Sequence, residues 1–192
     1  MDISETKYCL CCDERVPFGI IVRNERREIT CNYCGFMLDV ERAAGPQKVD
    51  DKGCTLIADD SKFTLKIIGE LIIEKKFSSD VMTFENGLEL VTAYSRVLSE
   101  RKPVDVAIID LNMPAMNGLT AARTLRTLEA QNKVPHVPIV FFSAEKADED
   151  LKTHMQSLEP AYYVNKGSDP DPDKLAGRVE YLLWYLKDRF GS

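Results

Sequence analysis

From Gly53 onward the chain alternates, five times over, between a short apolar run and a stretch with helical spacing. Thr55 to Ala58, Asp80 to Phe84, Val104 to Ile109, Pro138 to Phe142 and Ala161 to Val164 read as strands. Lys62 to Lys75, Gly87 to Glu100, Leu119 to Gln131, Asp148 to Ser157 and Asp173 to Phe190 read as helices, the first with Phe63, Ile67, Leu71 and Ile72 as its apolar face. Few folds accept such alternation, because strands joined through helices lie parallel and both faces of the sheet must then be covered. The fold class expected is α/β, a five-stranded doubly wound parallel sheet. Its ligand site should lie at the carboxyl ends of the strands, at a topological switch point.

Those ends carry unusual chemistry. The first strand runs into Asp59-Asp60, the third into Asp110, the fourth into Ser143 and the fifth into Lys166. An acidic pair after a strand is ordinarily a helix cap, and Asp60 or Ser61 would serve well as one. Five polar positions on one rim are another matter. Three crowded carboxylates repel and require counter-charge, which Mg2+ supplies through oxygen ligands while leaving positions for phosphate oxygens. A nearby Lys adds a point charge for a phosphoryl group, and a Ser hydroxyl can donate to it. The chain has no G-x-x-x-x-G-K-[ST] loop, so no bound nucleotide is implied.

Asp59-Asp60, Asp110-Leu-Asn-Met-Pro-Ala-Met-Asn-Gly118, Phe142-Ser-Ala144 and Tyr163-Val-Asn-Lys166 resemble the receiver domain of bacterial two-component response regulators, a flavodoxin-like fold, across essentially Gly53 to Phe190. The resemblance implies that Asp110 accepts a phosphoryl group from a phosphohistidine on a sensor histidine kinase. Asp59, Asp60, Asp110 and the carbonyl of Asn112 would hold Mg2+, Lys166 would pair with the phosphoryl oxygens, and Ser143 and Tyr163 would form the switch. Such a protein is a phosphoacceptor in phosphorelay signal transduction, its own chemistry confined to self-phosphotransfer and autodephosphorylation. Two features depart from the family pattern. Gly167 follows Lys166 where a Pro in a cis bond is usual, and Gln131 to Val137 reads as a surface insertion.

Residues 1–36 form a different unit. Cys9-Leu-Cys11-Cys12 and Cys31-Asn-Tyr-Cys34 are separated by eighteen residues in which Phe18 to Arg23 and Arg27 to Thr30 flank Asn24-Glu25 as a hairpin. So small a unit cannot bury enough apolar surface to fold unaided. Zn2+ held by Cys9, Cys12, Cys31 and Cys34 would staple it, and the segment resembles the zinc-ribbon family. Cys11 is a bystander in this reading, since a one-residue spacer makes a poor chelating turn; accidental clustering and redox sensing are the competing readings. Residues 37–52 are expected to be a linker with a short helix at Leu38 to Arg42, and 53–192 the receiver.

Charge narrows the output. Net charge is −6 over 192 residues, and residues 1–52 hold 8 Lys and Arg against 10 Asp and Glu, so the ribbon shows no clean basic face for DNA. A protein partner, switched by phosphorylation, is expected ahead of a transcription regulator that uses the ribbon on DNA or a receiver-like scaffold that never accepts phosphate. No run approaches a membrane span, and the N-terminus lacks the features of a signal peptide, which points to the cytoplasm. On the last helix, Leu175, Val179, Leu182, Leu183, Leu186 and Phe190 form a stripe for the sheet. Tyr181 and Trp184 are expected to point away from it, as a surface for a partner or a second copy of the chain.

Overall fold

The computed structural model describes residues 6–9, 12, 14–23, 26–33, 37–40, 53–145, 149–167 and 172–190. In the N-terminal part, β1 (Thr6–Cys9), β2 (Glu14–Arg23), β3 (Arg26–Cys31) and β4 (Met37–Val40) form an antiparallel sheet in sequence order. The hairpin lies where the alternation places it, with Arg23 opposite Arg26 and Phe18 opposite Cys31. The expected helix at Leu38 to Arg42 is not formed. Residues 37–40 are a strand that pairs with the other edge of β3, Glu28 opposite Val40, because open ladder positions there outweigh a weak local helix preference. Residues 41–42 and the rest of the expected linker lie outside the described residues.

The second sheet holds β5 (Cys54–Ala58), β6 (Asp80–Phe84), β7 (Val104–Ile109), β8 (Ile139–Ser143) and β9 (Ala161–Asn165), all parallel, in the order β6-β5-β7-β8-β9. The strands are joined through α1 (Lys62–Glu74), α2 (Gly87–Ser99), α3 (Gly118–Asn132) and α4 (Glu149–Gln156), and α5 (Pro172–Phe190) follows β9. Every residue of β5 and β8 is buried, as central parallel strands require, while edge strand β6 is half exposed. Each large apolar side chain fully buried in this way, Phe141 and Ile57 among them, contributes about 1.5–3 kcal/mol of transfer free energy.

Helix starts follow local chemistry. Ser61, Asn86 and Asn117 cap α1, α2 and α3, their side-chain oxygens accepting from Thr64, Glu89 and Thr120 N–H. The packed face of α1 keeps three of the four expected residues, Ile72 buried and Ile67 and Leu71 half-buried against the core, but Phe63 is 51% exposed and Thr64, Leu65 and Ile68 are buried instead. Leu175, Val179, Leu182 and Leu183 of α5 are buried as expected. Trp184 does not point away; it is half-buried and packs on the core. The side chains of Tyr181, Leu186 and Phe190 lie outside the described residues.

The stretch from Gln131 to Val137 lies at the surface as expected, apart from half-buried Val134 and buried Val137, and it is tied down at its end. Lys133 closes α3 in the left-handed conformation, Val137 is buried, and its N–H donates to Glu129 Oε1 at 2.9 Å. Glu129 is fully buried. It also accepts from Tyr94 (2.8 Å) and from Arg126 (2.8 Å), whose guanidinium donates in turn to the carbonyls of Leu158 and Pro160. Burial and the neighbouring Glu129 carboxylate push the Tyr94 phenol well above its usual range. This network ties α2, α3, the 133–138 link and the turn before β9 together. No helix among the described residues is long and apolar enough to cross a membrane.

Candidate functional site

Register builds the rim. Ala58 lies opposite both Phe84 and Ile109, Ile109 opposite Phe141, and Phe141 opposite Tyr163, so the strands end nearly level. The ladder then continues into the polar residues. Asp59 N–H donates to Phe84 O (3.0 Å), Asp110 N–H to Ala58 O (2.8 Å) and Lys166 N–H to Ser143 O (2.8 Å). Asp59 and Asp110 thus stand at the ends of β5 and β7, on either side of the switch point where the strand order reverses.

The structure brings together Asp59, Asp60, Asp110 and Lys166. Carboxylate oxygens of the three acids lie within 4.8 Å of one another. Lys166 Nζ bridges Asp59 Oδ2 at 2.6 Å and Asp110 Oδ2 at 2.9 Å. Burial pushes the Asp59 carboxyl above its ordinary value, and Lys166 works against that shift. Asp60 is exposed; Asp59 Oδ1 accepts from Ser61 N–H at 2.9 Å. Asp110 Oδ1 is buried without a hydrogen-bond partner, the only such side-chain oxygen or nitrogen among the described residues. An acceptor left in that state costs roughly 1–3 kcal/mol unless something not of the polypeptide satisfies it. The cluster of three carboxylates fits a hard divalent cation such as Mg2+.

The loop after Asp110 is shaped to leave this space. Gly118 N–H donates to Leu111 O at 2.9 Å, and a Cβ at Gly118 would overlap the Asp110 carbonyl, so α3 can begin this close only with glycine. Asn112 is exposed on this loop and, with Asn117, Glu145, Asp150 and His154, lines a neighbouring groove of about 250 Å³. Ser143 is buried at the end of β8. Tyr163 is 4% exposed, with its hydroxyl donating to the carbonyls of Ser143 (3.3 Å) and Glu145. The bond after Lys166 is not among the cis peptides, and Gly167 has φ of 81°.

Two residues near the rim were not foreseen from sequence. Asn165 is 3% exposed; its Nδ2 donates to Glu145 O (2.8 Å) and its Oδ1 accepts from Gly167 N–H (2.5 Å). Arg178, buried on α5, lies against Gly167. Asn165 sits within the Tyr163 to Lys166 run and could have been singled out there; nothing in the sequence around Arg178 marks it.

In the N-terminal sheet Cys9, Cys12 and Cys31 gather, with their sulfurs within 4.8 Å of one another and Cys12 Sγ 3.7 Å from Cys31 Sγ. Cys12 N–H donates to Cys9 Sγ (3.4 Å) and Tyr33 N–H to Cys31 Sγ (3.3 Å). None of the three is in a disulfide. Cys11 and Cys34 lie outside the described residues.

Comparison with known proteins agrees with the larger part of this picture. Residues 55–180 match the family model of the response regulator receiver domain. Relatives include the hybrid signal transduction histidine kinase I of Dictyostelium discoideum, 28% identical over 125 residues, and the chemotaxis protein CheV2 of Helicobacter pylori, 28% over 124. These alignments cover 65% and 64% of the chain but only 7% and 37% of those proteins. A CheY homolog of Campylobacter jejuni is 30% identical over 128 residues, 67% of this chain and 90% of its own length. Among solved structures, the phosphorylated cyanobacterial phytochrome response regulator RcpA shares the fold at a TM-score of 0.57 and 21% identity, covering 74% of this chain and 96% of its own. The receiver domain of the histidine kinase CKI1 from Arabidopsis thaliana, solved with Mg2+, does so at 0.55 and 21%, covering 68% and 91%. With residues 55–180 inside that family model and a matching sheet, the chain belongs to the response regulator receiver domain family, the phosphoacceptor signalling domains of CheY-like regulators.

Proposed function

We propose that Asp110 is the phosphoacceptor and that its Oδ1 is the attacking atom. The observation that carries this is the asymmetry of the carboxylate: Lys166 holds Oδ2, and Oδ1 is buried with no partner. Oδ1 attacks the phosphorus of a phosphohistidine on a sensor histidine kinase, the N–P bond breaks, and the imidazole leaves with the electron pair and takes up a proton. The product is an acyl phosphate on Asp110. Asp59, Asp60 and Asp110, with the carbonyl of Asn112, would hold Mg2+, which when bound offsets the charge of the acids and of the phosphoryl oxygens. Lys166 fixes the orientation of Asp110 and supplies a cation for the transferred group. Ser143 donates to a phosphoryl oxygen, and that demand couples the site to the loop whose Glu145 carbonyl Tyr163 holds.

We infer further that Cys9, Cys12 and Cys31, with Cys34 as the fourth sulfur, hold Zn2+. Sulfurs about 2.3 Å from a tetrahedral metal stand about 3.8 Å apart. The 3.7 Å separation of Cys12 and Cys31 supports the reading, as do the backbone N–H groups aimed at Cys9 and Cys31, which suit thiolate acceptors. The output favoured is a protein partner: Ile20 and Val22 share one face of β2 and are exposed, which suits a protein surface better than a phosphate backbone.

Replacing Asp110 with Asn tests the central assignment. The Asp110→Asn chain should lose Mg2+-dependent, acid-labile labelling from a small phosphodonor by roughly a hundredfold or more. Labelling at the unaltered rate would overturn it.

A further inference from the structure

Lys166 works at the point where the chain leaves the sheet, and the residue after it restrains the backbone least. Glycine populates positive φ as readily as negative, and Gly167 has φ of 81°. A lysine whose Nζ must stay 2.6 Å from Asp59 and 2.9 Å from Asp110 cannot tolerate a backbone free to wander. The structure puts the missing restraint on α5. A Cβ at position 167 would coincide with the Arg178 guanidinium, so that group fills the space a side chain would have occupied. Arg178 is 7% exposed, with Leu175 and Val179 buried beside it on the same helix, and its NH1 reaches the Asn165 carbonyl at 3.4 Å. Asn165 closes the arrangement by joining the Glu145 carbonyl to the Gly167 N–H. The ends of β8 and β9 and the helix α5 therefore meet on the residues flanking Lys166.

We propose that Arg178 is a positioning residue for Lys166, docking its guanidinium on Gly167 so that the lysine is held between Asp59 and Asp110 and the site moves together with α5. A planar, permanently charged group suits this role, because it can lie on a backbone and donate to a carbonyl without changing its charge. The inference rests on the reading of Asp110 as phosphoacceptor. It predicts that Gly167 and Arg178 act as a pair: any side chain at 167 displaces the guanidinium, and any loss of the guanidinium leaves Gly167 held through its N–H to Asn165 alone.

The test uses the full chain, Mg2+, a small phosphodonor, and the single tryptophan, Trp184, as reporter on α5. Arg178→Ala should lower the maximal labelling rate roughly fivefold to tenfold while the half-saturating donor concentration stays within about twofold. Millimolar guanidinium should restore much of that rate, and ammonium at the same concentration should not. Beryllofluoride should change Trp184 fluorescence in the unaltered chain and change it much less in Arg178→Ala. Gly167→Ala, which leaves α5 intact, should reproduce the kinetic loss and guards against a misfolded Arg178 variant. Both variants labelling at the unaltered rate, with no effect of guanidinium, would overturn the proposal while leaving the phosphoacceptor reading in place. No labelling of the unaltered chain would instead sink that reading, and this inference with it.

Discussion

In the sheet of β5 to β9 two strands are buried along their whole length, whereas in the sheet of β1 to β4 Ile20 and Val22 of the longest strand are 52% and 69% exposed. The sheet of β5 to β9 is covered by helices and holds Asp59, Asp110 and the Arg126–Glu129 pair inside an apolar frame. The sheet of β1 to β4 buries Val16 and then sulfur, with Cys9 at 0% and Cys31 at 2% exposure. One region is stabilised by apolar area and can spend part of that stability on an orphaned carboxylate oxygen. The other has less area to draw on, and under the zinc proposal its order would depend on what its cysteines bind.

Metal removal should break that comparison most sharply. Structural zinc contributes apparent free energies of about 10–16 kcal/mol in small modules at neutral pH, so a chelator should melt β1 to β4 outright. Hydrogen exchange would show protection lost across β2 and β3, with the unfolding midpoint followed by Trp184 unmoved, and Cys31→Ser should behave alike. Persistent protection of β2 under chelation would mean that the sheet needs no staple.

A smaller effect is expected inside the receiver. Glu129→Ala strips the partner from buried Arg126 and from Tyr94 and Val137, and should cost about 3–5 kcal/mol in urea unfolding. A loss under about 1 kcal/mol would place the network with ordinary surface pairs.

The smallest effect belongs to the sheet edge. The hydrogen bond from Lys102 to Asp80, 2.7 Å long, holds the Asp80 carboxyl below its ordinary value. A depressed folded value means that the contribution is present above the unfolded carboxylate pKa and is lost as pH falls through the folded one. Both side chains are more than a third exposed, so the effect should be slight and removed by salt. Asp80→Asn should lower the melting temperature slightly at pH 7 and leave it unchanged in strong acid. A difference that survives at the acid end would point to packing instead of charge.

Much of the receiver is legible in one dimension because strand and helix periods and the residues that end strands are local properties. Where local signals compete, the sequence is a poorer guide. In α1 apolar residues occur at positions 63, 65, 67, 68, 71, 72 and 73, which covers more than one face, so spacing alone cannot choose between Phe63 and Leu65; docking on the sheet chooses Leu65. Residues 37–40 have no strong preference of their own, and the edge of β3 recruits them as a strand. Trp184 looks outward on a helical wheel drawn around the leucine stripe, yet a side chain of that size reaches the core from the flank.

By itself the sequence determined the βα alternation and the set of groups at the rim, which follow from short local stretches, and the family, through the motifs that resemble receiver domains. Only the tertiary structure decided how those groups divide their partners. It made Lys166 hold Asp59 and one oxygen of Asp110, left the other oxygen without a partner, and seated Arg178 on Gly167. Those outcomes depend on strand register and on the placement of α5 against residues eleven positions away in sequence. No periodicity encodes contacts of that kind, because they are settled when whole elements pack.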